Sequence, residues 1–153
     1  MTLSAGDAAP DFSLPDSDRQ VVSLSGLRGA PVLLVFYPFA FSGICTGELC
    51  QLRDELGTYT DAGVRVLAVS TDPAFALKAW RAQQGFDFPL LSDFWPHGAV
   101  AQAYGVFNEK AGMANRGTFL VDAEGRIAFA EVNAPGDARQ QSGWKDAVAK
   151  LAA

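Results

Sequence analysis

Residues 32–45, Val32-Leu33-Leu34-Val35-Phe36-Tyr37-Pro38-Phe39-Ala40-Phe41-Ser42-Gly43-Ile44-Cys45, decide how the rest of the chain is read. The run from Val32 to Tyr37 is unbroken, apolar, and rich in β-branched and aromatic side chains. A run of this length without alternation predicts a strand buried on both faces, at the centre of a sheet. From Cys45 the period changes. Cys45, Leu49, Leu52 and Leu56 stand at i, i+4, i+7 and i+11, one apolar stripe on a helix of at least three turns that Gly57 or Gly63 helps to end. Strand, loop and helix in this order put Cys45 in the first helical turn, at the carboxyl end of the central strand.

Working outward, Val64 to Ser70 reads as a second buried strand, and Asp72-Pro73 as a helix start with Asp72 at the N-cap and proline at the first position. That helix runs towards Gly85. Phe88 to Leu91 is a short strand, and Gly98 to Tyr104 a short helix. Thr118 to Val121 and Arg126 to Val132 form a hairpin, and Ser142 caps a C-terminal helix reaching Leu151. Upstream, Phe12 to Leu14 and Val21 to Leu24 flank the polar segment Asp16 to Gln20 and predict an N-terminal hairpin. The expectation is an α/β chain with a thioredoxin-like fold, its central mixed sheet covered by helices on both faces. No repeat, low-complexity tract or linker interrupts it, so residues 1–153 read as a single domain.

Composition narrows the function. Hydrophobic residues at 49% and charged residues at 19% suit a globular core. A net charge of −5 offers no basic footprint, so neither nucleic acid nor an anionic membrane surface is expected as a partner. Pro31 to Phe41, the longest apolar stretch, is too short to span a bilayer. Met1 to Pro10 lacks Lys, Arg and a long apolar run, which reads as no secretory signal, and a cytoplasmic location is the expectation. In a reducing compartment Cys45 and Cys50 suggest catalysis, metal binding or neither. Drawn together with His97, they lack the spacing and the fourth ligand of a zinc site, so no metal and no bound cofactor is expected. His97 itself reads as a capping or surface side chain. The absence of Cys-x-x-Cys argues against a thiol–disulfide oxidoreductase. A non-enzymatic redox-sensing or chaperone module is the alternative from a different class.

Unpaired N–H groups in a first helical turn carry roughly half a positive charge, which favours a thiolate at Cys45. Pro38 ends the strand and can shield the sulfur from water. Ser42, three residues before Cys45, can place a hydroxyl beside it. Taken singly these are also a strand stop and a turn residue. Taken together, Pro38-x-x-x-Ser42-x-x-Cys45 resembles the active-site motif of the peroxiredoxins, with Ser where Thr is usual. Ala9-Pro10-Asp11-Phe12, Leu90-Leu91-Ser92-Asp93 and Arg116-Gly117-Thr118-Phe119 extend the resemblance along the chain. The segments 39–45 and 94–98 are most similar to the actinobacterial AhpE subgroup. Cys50, five residues after Cys45, instead resembles the PrxQ/BCP pattern.

The resemblance implies Cys45 as the peroxidatic cysteine, Ser42 and Arg116 as its hydrogen-bonding partners, and Pro38 as its shield. It implies that Glu48 orients Arg116, against the plainer reading of a surface helix glutamate. The substrate would be hydrogen peroxide, an organic hydroperoxide or peroxynitrite. The reductant would be thioredoxin or a mycoredoxin-type partner, and a homodimer would form through some of Phe39, Phe41, Phe94 and Trp95. Cys50 would be the resolving cysteine, yet a helix sets an obstacle. Five residues rotate by about 500° and rise ~7.5 Å, so the two Cα atoms stand roughly 8–9 Å apart, beyond the ~7 Å limit for a disulfide. The first turns must unwind for that bond to form. Cys50 shares a face with Asp54 and Gly57, away from the apolar stripe, and its other reading is a small buried hydrophobe. If it does not resolve Cys45, an external thiol would.

Overall fold

The computed structural model describes residues 3–152; Met1, Thr2 and Ala153, the ends of the expected 1–153 domain, lie outside the described residues. Strand β3 (Val32–Phe36) is buried along its whole length and lies at the centre of a five-stranded sheet. On one side it pairs in parallel with β4 (Arg65–Ser70), which pairs in parallel with β5 (Leu90–Ser92). On the other it pairs antiparallel with β8 (Arg116–Val121), which pairs with β9 (Ile127–Asn133). The sheet is therefore mixed, as the order of elements implies. The N-terminal hairpin is β1 (Ser13–Pro15) against β2 (Val21–Ser23).

The central strand feeds two cores because successive side chains point to opposite faces. Leu33, Val35 and Tyr37 enter one cluster with Leu49, Leu52, Trp80 and Trp144, whereas Val32, Leu34 and Phe36 enter another with Val69, Tyr104 and Phe119. Helices α1 (Gly43–Asp54), α3 (Ala74–Gln84) and α5 (Ser142–Ala152) cover the first face. Helix α4 (Ala99–Ala103) and the hairpin cover the second. Among the described residues no helix is long and apolar enough to cross a membrane.

The apolar stripe is not one helix. Cys45, Leu49 and Leu52 are fully buried on α1, but Glu55 leaves helical geometry at φ −107° and ψ 13°, and Leu56 opens a separate short helix, α2 (Leu56–Thr60). Gly57 lies inside α2, and the chain turns after it through Gly63 at φ 77°. Helix α3 also departs from expectation, since Pro73 and not Asp72 holds the N-cap position. The Asp72 carboxylate instead accepts from the Ala40 N–H at 2.8 Å and the Ser70 hydroxyl at 2.7 Å. It thereby anchors the loop that leads to Cys45. A small hairpin, β6 (Phe107–Asn108) with β7 (Met113–Ala114), has no counterpart in the expected elements. Its strands are too short to show an alternation.

Leu33→Ala deletes a side chain with no exposure at all and is expected to lower stability by about 2–5 kcal/mol in urea unfolding. Val21→Ala, at a position 72% exposed, is expected to stay within about 0.5 kcal/mol of the parent.

Candidate active site

Strand β3 delivers the chain to the site. Tyr37 is buried, Pro38 stops the strand, and the loop turns at Phe41 with φ 68°. Helix α1 then begins with Ser42 at its N-cap position, φ −76° and ψ 150°. Cys45 lies in the first turn, fully buried, where the backbone N–H groups of the helix start are concentrated.

The antiparallel register explains why Arg116 arrives at the same end of the sheet. Val35 pairs with Thr118, so the start of β8 stands beside the end of β3. Arg116 is 2% exposed and uses its whole fork: Nη2 donates to Cys45 Sγ at 3.3 Å, Nη1 to Glu48 Oε1 at 2.7 Å, and Nε to the Pro135 carbonyl at 2.7 Å. Glu48 comes three residues after Cys45 on α1, which puts both on one helix face. Its carboxylate is 6% exposed and also receives the Arg139 backbone N–H at 2.6 Å and Arg139 Nη2 at 2.8 Å. Arg139 is held by the carbonyls of Phe36 at 2.7 Å and Gly117 at 3.0 Å, and stacks over the Trp144 ring at 5.6 Å. Two guanidiniums against one carboxylate leave one net positive charge in a buried cluster that touches the Cys45 sulfur.

Burial alone would raise the Glu48 carboxyl pKa, but the hydrogen bonds and charge of Arg139, and then the charge of Arg116, hold it below the ordinary value. Burial pulls Arg139 below the usual guanidinium value, against the opposing pull of Glu48.

The expected residues sort as follows. Pro38, Ser42 and Arg116 line a cleft of about 450 Å³ with Phe39, Gly43 and Ile44, the neighbours of Cys45. Ser42 does not reach the sulfur as expected. Its hydroxyl folds back and donates to the Phe39 carbonyl at 3.0 Å, and among the described residues Cys45 Sγ receives its hydrogen bond from Arg116. Glu48 is in the cluster and not on the surface. Cys50 is half-buried at the edge of the core, its thiol donating to Gln84 Oε1 at 3.4 Å, and both cysteines are free. His97 closes a loop, with Nε2 donating to the Gly112 carbonyl at 2.7 Å. Arg139 was not foreseen. It lies in Ala134-Pro135-Gly136-Asp137-Ala138-Arg139, a polar segment with Pro and Gly that reads as a solvent loop, and no local pattern singles it out.

A thiol at a helix start, pinned by a buried arginine beneath an open cleft, is suited to stabilising negative charge on sulfur and on an incoming oxygen. The pattern that defines the AhpC/TSA family matches residues 5–130, and the chain belongs to this family: it is a peroxiredoxin, a thiol-dependent peroxidase. It is 59% identical to alkyl hydroperoxide reductase E of Mycobacterium tuberculosis over 152 residues, 99% of each chain. Peroxiredoxin Bcp of Escherichia coli K12 is 41% identical, covering 82% of this chain and 83% of that one. Among solved structures, peroxidoxin BcpB of Mycobacterium tuberculosis superposes with a TM-score of 0.84 at 31% identity, covering 97% of this chain and 96% of that one.

Glu48→Gln leaves two buried guanidiniums without a counter-charge and is expected to lower stability at pH 7 by about 3–5 kcal/mol in urea unfolding. Because the folded-state pKa is depressed, the stabilisation is complete above the ordinary glutamate value, about 4.3, and is lost as pH falls through the lower folded value. The parent is therefore expected to lose stability on acidification below about pH 4.3, and the variant to lack that component.

Proposed function

We propose that residues 1–153 act as one peroxidase domain in which the Cys45 thiolate attacks the terminal oxygen of a hydroperoxide. The S–O bond forms as the O–O bond breaks, giving Cys45 sulfenic acid, while the leaving oxygen takes up a proton and departs as water or an alcohol. The observation that carries this reading is the Arg116 Nη2 donor 3.3 Å from the sulfur at the head of α1. Arg116 and the helix N–H groups face the oxygens on which charge develops, so they stabilise the transition state more than the ground state. Glu48 holds Arg116 in that pose. Pro38 screens the sulfur, and Ser42 acts through the loop it braces, with its lone pairs open to a thiol or peroxide proton.

Cys50 then resolves the sulfenic acid as an intramolecular disulfide, and thioredoxin or a mycoredoxin-type protein returns both thiols. The apolar mouth formed by Phe39 and Ile44 accepts hydrogen peroxide, organic hydroperoxides and peroxynitrite. The protein works in the cytoplasm, as a homodimer that covers some of Phe39, Phe41, Phe94 and Trp95, which are 40%, 54%, 48% and 80% exposed in the single chain. A second reading has support from the unbroken α1 between two free cysteines: a one-cysteine cycle in which an external thiol reduces Cys45 directly.

One equivalent of hydrogen peroxide, followed by thiol blocking and intact mass, separates these readings. The parent is expected to lose two thiols, Cys50→Ser to stop at one added oxygen, and Cys45→Ser to remain unreacted. A parent that stops at the sulfenic acid with Cys50 still blockable establishes the one-cysteine cycle, and no reaction in seconds removes Cys45 as the nucleophile. In the same assay Arg116→Ala is expected to slow Cys45 oxidation by about 10²–10³-fold.

A further inference from the structure

Helix α1 is held at two separate places. Its first turns are gripped by the Glu48 cluster, and its far half by the last residue of α3. Cys50 Sγ donates to Gln84 Oε1 at 3.4 Å, and Arg53 Nη1 donates to the Gln84 backbone carbonyl at 2.6 Å. Cys50 and Arg53 are three residues apart and share a helix face. Gln84 ends α3, and the chain leaves through Gly85 in the left-handed conformation at φ 68°. A carbonyl in the last turn of a helix has no partner within that helix, so the Arg53 guanidinium satisfies an acceptor α3 cannot. Neither Arg53 nor Gln84 lines the cleft at Cys45.

We propose that Gln84 is a positioning residue for the second half of the catalytic cycle, a clasp that keeps Cys50 and α1 in the helical form and whose release sets the rate of disulfide formation. This rests on the reading of Cys50 as the resolving cysteine. In that step the Cys50 sulfur attacks the sulfur of Cys45 sulfenic acid. The S–S bond forms, the S–O bond breaks, and the departing hydroxide takes the Cys50 proton and leaves as water. The hydroperoxide already consumed supplied the oxidising equivalents. Cys50 cannot reach Cys45 while α1 is intact: unwinding the turns from Cys45 to Cys50 draws the Cys50 thiol off Gln84 Oε1 and loosens the helix end that Arg53 anchors to the Gln84 carbonyl. The clasp therefore prolongs the sulfenic acid, during which a second peroxide can carry Cys45 on to the sulfinic acid.

Rapid mixing with one equivalent of hydrogen peroxide, acid quench and intact mass would be applied to the parent, Gln84→Ala, Arg53→Met and Gln84→Glu. Alanine is the stronger helix former, so Gln84→Ala removes the acceptor without weakening α3. Loss of one hydrogen bond of ordinary strength is expected to speed disulfide formation about fivefold in Gln84→Ala and in Arg53→Met. Cys45 oxidation itself is expected to stay within about twofold of the parent, since neither residue touches the reacting atoms. Gln84→Glu restores an acceptor and is expected to return the rate to the parent value or below. Equal disulfide rates in the parent, Gln84→Ala and Arg53→Met overturn the clasp and leave Cys50 as the resolving cysteine. So does a Gln84→Glu protein as fast as Gln84→Ala. No disulfide in any of the four proteins overturns the resolving role, and the clasp with it.

Discussion

The buried carboxylate of Glu48 joins parts of the fold that lie far apart in the sequence. Through it α1, the start of β8 and the segment before α5 meet at the end of β3. Two buried cations would repel one another in a medium of low dielectric, and without an anion between them neither would stay. Glu48 accepts from both arginines, and Gln141 closes the arrangement by donating to the Glu48 backbone carbonyl at 3.0 Å. The surplus positive charge is left on the side of Cys45.

The same helix has to satisfy two opposed demands. Its first turns must be rigid, because donors stabilise a transition state only if they are already in place when charge develops. Those same turns must later unwind, and Cys50 at their end must leave Gln84, if Cys50 is to approach Cys45. The division of holding groups follows that need. The cluster around Glu48 is almost wholly shielded from water, whereas Cys50 and Gln84 are half-exposed, where a hydrogen bond is readily exchanged for one to solvent. A break at Glu55 bounds the helix. It shortens α1 to Gly43–Asp54 and hands the last apolar residue of the stripe, Leu56, to α2, which the Lys145–Glu55 ion pair ties to α5.

Much of this was legible in the residues. Val32 to Tyr37 announces a central strand because no polar side chain interrupts it, and the change of period at Cys45 places the thiol at a helix start. The pairing of Pro38, Cys45 and Arg116 came through resemblance, and the antiparallel register of β3 and β8 supplies its physical reason. Arg139 was invisible because its partners lie up to 103 residues away, in a fold that must exist before the contact does. Asp72, expected as a helix cap, and Ser42, expected beside the Cys45 sulfur, both turn their polar side chains to a loop backbone group instead, Ala40 N–H for one and the Phe39 carbonyl for the other. Local pattern gives the element; it does not say which of several acceptors a short polar side chain will choose.

In the proposed mechanism Glu48 acts on Cys45 through Arg116, which it holds at 2.7 Å and which donates to the sulfur. A double-mutant cycle on the rate of Cys45 oxidation by hydrogen peroxide tests it most directly, using the parent, Glu48→Gln, Arg116→Ala and the double variant. If Arg116 transmits the effect, Glu48→Gln slows the reaction by about tenfold in the parent and by less than about twofold in the Arg116→Ala background. An equal slowing in both backgrounds would mean that the two residues act independently, and that Arg116 does not carry the effect of Glu48.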